Sequence, residues 1–160
     1  FIGQNEENFK SLQTDGRGFK GKWTPDGSKL LYTVYSEATN WNPELYLVRA
    51  QGDAIGQGNT DLGLSTFVDK CTFNRAGTYA YCAVPDFLQR GSGLYPELAF
   101  DSKDAFYTIN LETGAYQQIA QPVSSGLDRF NISSVFLSGD ESTLFFTDVN
   151  SRHIHSVRLR

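Results

Sequence analysis

Apolar and polar residues alternate along this chain with a period of two, in short runs separated by turn residues. Three runs show it well: Leu45-Tyr46-Leu47-Val48-Arg49, Phe106-Tyr107-Thr108-Ile109-Asn110 and Ile154-His155-Ser156-Val157-Arg158-Leu159. Successive side chains of a strand point to opposite faces, so this pattern predicts half-buried strands. No helical periodicity runs longer than about a turn.

The runs recur in order. Trp23-Thr24-Pro25-Asp26-Gly27-Ser28-Lys29-Leu30-Leu31-Tyr32 reads as a strand end, a tight turn and a new strand. Proline presets φ for such a turn, and glycine takes the position with positive φ. Phe73-Asn74-Arg75-Ala76-Gly77-Thr78-Tyr79-Ala80-Tyr81 aligns with it without a gap. A third copy is Leu137-Ser138-Gly139-Asp140-Glu141-Ser142-Thr143-Leu144-Phe145-Phe146, where Glu141 stands in the place of glycine. Second strands are predicted over 30–36, 79–84 and 143–148, and third strands over the three runs above. Turns at 50–53 and 111–114 lead to short fourth strands near 54–56 and 115–119.

The predicted fold is therefore all-β. A four-stranded antiparallel unit that repeats at this spacing is a β-propeller blade, and about three blades are present. They span 19–57, 67–119 and 130–160 of a single domain, and the last lacks its fourth strand. Residues 9–14 read as an orphan outer strand ahead of the first blade. A β-sandwich of repeated hairpins is the rival, but it gives no reason for the same turn at the same place in each unit. Three blades are too few to close a ring. The chain is expected to be the C-terminal part of a longer propeller, with completion by another chain as the alternative. A start at Phe1 and the absence of methionine point the same way.

Composition adds limits. Aromatic residues make up 14% of the chain, which suits pleated, half-buried surfaces. The formal net charge of −4 offers no basic stripe for nucleic acid. The basic residues Arg152, His153, His155, Arg158 and Arg160 read as a solvated terminal strand. No run is long and apolar enough to span a membrane, and no signal peptide is visible. Cys71 and Cys82 fall on neighbouring strands, as a cross-strand disulfide or as two buried thiols. Their spacing is not that of a zinc site.

Trp23-Thr24-Pro25-Asp26-Gly27, followed by Leu30, Tyr32 and Glu44-Leu45-Tyr46-Leu47-Val48, resembles the WD40-like PD40 repeat of TolB-type propellers. The likeness covers essentially the whole chain. It is fullest in the first copy; in the third, proline and glycine are both missing from their places. The resemblance implies a bacterial surface or periplasmic propeller that binds proteins or glycans, and it implies no reaction.

Candidate chemistry follows from the loops. The long loops 37–43 and 85–103 and the links 57–65 and 120–129 are expected on one face. Trp41, Phe87, Tyr95 and Phe100, with Leu88 and Leu98, are the candidate binding residues there, for a protein or a glycan. The alternative is that the long loop buries them as a satellite core. His153 and His155 form a possible metal pair without a third ligand. Asp101 with Asp104, and Asp140 with Glu141, read as turn formers rather than calcium ligands. Asn131-Ile132-Ser133 is a glycosylation sequon. No cofactor and no catalytic residues are expected. The function expected is a non-catalytic binding or scaffold propeller outside the cytoplasm. The alternatives are the accessory propeller of a prolyl-oligopeptidase-like hydrolase, or a propeller lyase or lactonase.

Overall fold

The computed structural model describes residues 11–126 and 128–159. Three antiparallel sheets follow one another along the chain. The first holds β1 (Arg17–Trp23), β2 (Lys29–Tyr35), β3 (Glu44–Arg49) and β4 (Thr60–Ser65) in that order. The second holds β5 (Cys71–Phe73), β6 (Tyr79–Pro85), β7 (Asp104–Asn110) and β8 (Tyr116–Ala120). The third has β9 (Ile132–Leu137), β10 (Thr143–Asp148) and β11 (Ile154–Arg158). The chain is all-β, with sheets of four, four and three strands. No helix among the described residues is long and apolar enough to cross a membrane.

Alternation explains why the sheets stack. Leu31, Leu45, Leu47, Leu62 and Leu64 of the first sheet meet Cys82, Val84 and Ile109 of the second, with Val68 of the link between the sheets packed among them. Ala83 and Phe106, on the opposite face of the second sheet, meet Ile132, Val135, Leu144 and Phe146 of the third. Each sheet thus buries one face against a neighbour, and the middle sheet buries both. One face alone cannot make a blade stable, so the units depend on stacking.

The three tight turns share a bonding pattern. Thr24 Oγ1, Asn74 Oδ1 and Ser138 Oγ each accept a hydrogen bond from the backbone N–H five residues on, at Lys29, Tyr79 and Thr143. Asp26 also accepts from Thr24 Oγ1, Ser28 N and Ser28 Oγ. Asp140 accepts from the matching Ser138 and Ser142 groups. Gly27 and Gly77 lie at φ +68° and +67°, and Glu141 takes the same conformation at +59°. Its carboxylate accepts from Arg75 N at 2.7 Å, tying the turn of the third sheet to that of the second.

These bonds hold the Asp26 and Asp140 carboxyls well below the usual 3.8, at about 2, through the hydroxyls of Ser28 and Ser138 first. A carboxyl lowered on folding contributes stability that is complete above its ordinary pKa and is lost as pH falls through the lowered value. A carbon-detected NMR titration should place both midpoints near 2. Ser28→Ala should raise that of Asp26 and leave Asp140 where it is.

Two expectations are corrected. The fourth strand of the first sheet is at Thr60–Ser65, not near 54–56, where a 3-10 turn, Gly52–Ala54, stands instead. Part of the predicted link 57–65 is therefore strand. Residues 11–14 form no strand; Leu12 packs on the outer face of the first sheet, beside Leu30, Tyr32 and Val48. Residues 9 and 10 of the expected orphan strand lie outside the described residues.

Candidate loop-face binding site

The loop between β6 and β7 is closed at its base and fastened at its middle. At the base Asp86 N donates to Lys103 O at 2.9 Å, and Arg129 pairs with the Asp86 carboxylate at 2.8 Å. In the middle it meets the loop between β2 and β3. Gly91 N donates to Asn40 O and Gly93 N to Trp41 O, at 2.9 and 2.8 Å. Asn42 joins them, with its side chain accepting from Ser92 N and donating to Leu88 O. Asn40 and Trp41 adopt left-handed backbone, at φ +56° and +60°, which turns their carbonyls to the neighbouring loop. A Cβ at Gly93 would lie 2.5 Å from the Tyr35 ring and 2.7 Å from Trp41 O. Gly93→Ala should therefore part the loops and lower stability by about 1–3 kcal/mol in chemical denaturation, with the far-UV spectrum unchanged.

The candidate residues divide. Phe87, Tyr95 and Phe100 are 68%, 59% and 53% exposed, and Leu94 beside them 44%. Leu88 and Ala99 are buried and anchor the loop. Trp41 is half-buried, with Tyr35 edge-on at 6.4 Å and the Arg17 guanidinium 5.9 Å from its ring. The exposed rings do not share one cavity. Phe87 borders a cavity of about 350 Å³ with Asn42, Ser65 and Asp86. Phe100 borders one of about 150 Å³ with Lys20, Asp69, Asn131 and Ser133.

A buried ion pair, missed in the sequence, organises the floor of this face. Lys70 Nζ lies 2.9 Å and 3.2 Å from the two carboxylate oxygens of Asp104. Asp104 also accepts from Ile132 N at 2.5 Å and donates its own N–H to Phe130 O. Burial pushes the Asp104 carboxyl up, against the opposing pull of Lys70. Asn131 is buried beside it, donating to the carbonyls of Ala99 and Phe100 and to Ser102 Oγ. The sequon asparagine is thus a structural strut with its amide nitrogen engaged.

Asp101 is exposed while Asp104 is buried, so they form no acidic pair. His153 precedes β11 rather than lying in it, and is exposed. His155 packs 4.4 Å from the Phe130 ring. Among the described residues no group of three or more His, Cys, Asp or Glu could hold a metal ion. Cys71 and Cys82 are directly opposed across β5 and β6, with their sulfurs bonded.

No protein-family model matches the sequence, and no curated protein matches it. Solved structures do. The chain is similar to an oligogalacturonate lyase solved in complex with manganese, with a TM-score of 0.57 and 19% identity, over 99% of this chain and 40% of that one. It is also similar to a putative TolB from Agrobacterium tumefaciens, with a TM-score of 0.51 and 10% identity, over 89% of this chain and 50% of that one. The chain spans only 40 to 50% of the length of these structures. At these identities the likeness is one of fold. The three sheets are blades of a partial β-propeller.

Proposed function

We propose that this chain is a non-catalytic recognition segment of a β-propeller, which meets a protein or glycan partner through its loop face. The observation that carries this reading is the exposure of Phe87, Leu94, Tyr95 and Phe100, at 44–68%, on a loop whose backbone is fastened at base and middle. Apolar rings held in water on a fixed frame lose little conformational entropy on binding. They supply the large contact areas that dominate interfaces and sugar stacking. Of the acids singled out by sequence, Asp104 is engaged in the pair with Lys70, and Asp140 and Glu141 in the bonds of the tight turns. The bonded cysteines support a place outside the cytoplasm, because disulfides persist in oxidising compartments.

The test compares the chain with a Phe87→Ser, Tyr95→Ser, Phe100→Ser variant on a glycan array and in cross-linking to secreted proteins. A defined ligand bound by the chain and lost by the variant, at unchanged circular dichroism, is the expected result. A ligand that the variant still binds sinks the reading, as does turnover of oligogalacturonate by the chain.

A further inference from the structure

The cavity of about 150 Å³ beside Phe100 lies where the three sheets meet. Lys20 comes to it from β1, Asp69 and Lys70 from the link between β4 and β5, Phe100 from the loop between β6 and β7, and Asn131 from the head of β9. Bonds between the sheets fix these walls. Lys22 Nζ donates to the carbonyls of Asp69 and Cys71, and Ile132 N donates to Asp104.

Asn131 carries a group that the fold leaves unused. The residue is only 1% exposed. Its Nδ2 donates to Ala99 O at 2.6 Å and to Phe100 O at 2.7 Å. A carbonyl oxygen only accepts, so the amide nitrogen is held toward the loop and the amide oxygen is turned away from it. Among the described residues no donor reaches that oxygen. It is not sealed in the core either, because the one fully enclosed side-chain polar atom without a partner among those residues is His155 Nε2. Asn131 lines the cavity, so its oxygen meets solvent there. A buried acceptor left unpaired is costly, and a donor brought into the cavity would relieve it.

The other walls say what kind of donor fits. Each charge on them has a partner within the protein: Lys20 pairs with Asp69 at 3.1 Å and Lys70 with Asp104 at 2.9 Å. A ligand therefore meets no unbalanced charge. The rest of the wall is largely apolar, with the Phe100 ring 53% exposed at its rim. The volume equals that of about five waters at ~30 Å³ each, which is the scale of a single sugar ring. We propose that this cavity seats one neutral pyranose residue of a glycan. The proposal rests on the loop-face reading above, to which Phe100 belongs, and names the ligand at that part of the face. A C–H face of the sugar stacks on Phe100, one hydroxyl donates to Asn131 Oδ1, and a second meets the Lys20–Asp69 pair. A uronate would bring a carboxylate for which the wall holds no unpaired cation among the described residues.

The probes are the methyl glycosides of glucose, galactose, mannose and N-acetylglucosamine, titrated into the 15N-labelled 160-residue chain, with digalacturonate as the charged counterpart. Saturable shifts of the Asn131 side-chain amide are expected with at least one neutral glycoside, at a dissociation constant of about 1–10 mM, as suits a ligand of so few atoms. Phe100→Ala should weaken that binding at least about tenfold. Phe87→Ser should leave it unchanged, because Phe87 borders a different cavity. A change in the ligand tests the Asn131 bond without altering the fold: the same glycoside with every hydroxyl O-methylated should not bind. No saturable shift with any neutral glycoside overturns the proposal, as does equal binding by Phe100→Ala, by the O-methylated glycoside or by digalacturonate. So does a secreted protein that cross-links to the chain and is lost in Phe100→Ala while no glycoside binds, which would give the cavity to a protein partner. The wider reading fails separately. A ligand lost in the Phe87→Ser, Tyr95→Ser, Phe100→Ser variant but kept in Phe100→Ala upholds the loop face and takes this cavity out of it.

Discussion

Asp104→Ala should lower the free energy of unfolding by about 3–5 kcal/mol, as breaking a buried ion pair does. The side chains of Lys70 and Asp104 are 7% and 0% exposed, so solvent cannot take over from the lost partner. Truncation leaves the Lys70 ammonium buried without its counter-charge, and it strips Ile132 N of its acceptor. Three segments lose a common anchor: the link before β5, the start of β7 and the start of β9. Two further variants tell the charge from the architecture. Asp104→Asn keeps an acceptor for Ile132 N and should cost less than Asp104→Ala. Lys70→Met with Asp104→Leu removes both charges and should recover much of the loss, because paired burial of charge costs desolvation as well. Urea denaturation of the four proteins checks the order. Equal midpoints for wild type and Asp104→Ala would show that the pair does not hold the three segments together.

Lys70 and Asp104 also mark where sequence reading stopped. They stand 34 residues apart, on a link and at a strand start, and neither sits in a motif. Only the stacking of two sheets brings them within bonding distance. The blades themselves were legible, because each strand carries its own alternation and each turn its own residues. The polar residue that opens every turn, Thr24, Asn74 or Ser138, was present in the alignment and would have been the better signature than proline or glycine. β4 was hidden for a local reason. Leu62 and Leu64 alternate, but Gly63 between them lies at φ +64°, and Gly56 and Gly58 precede them. Such a stretch reads as a link, and pairing with β3, across a register shift, decides otherwise. On the loop face, sequence named the aromatic residues but could not divide them. Trp41 is drawn in by Tyr35 and Arg17, contacts with residues that belong to other elements.

Replacing Cys71 and Cys82 together by alanine should cost about 3 kcal/mol, the loop-closure entropy of so short a bridge. The two residues lie 11 apart, so the closed loop is small and the effect falls below that of a bridge across a long loop. Their place in the fold makes it matter. β5 is only three residues long and pairs with β6 at three positions, the first of them Cys71 with Cys82. Yet β5 packs against β9, and Cys71 and Cys82 are both fully buried in the core between the first two sheets. A strand this short has little ladder of its own, and the bond holds its start in register with β6. For a chain of this size the loss corresponds to a Tm lower by roughly 6–12 °C. Thermal denaturation of wild type with and without reductant, beside the double variant, measures it. Reduced wild type and the double variant should melt near one another and well below the oxidised chain. Alkylation of the unfolded chain without reductant should label no cysteine. Two labelled thiols in the freshly purified chain would remove the bond from the account, and with it the support that it lends to a place outside the cytoplasm.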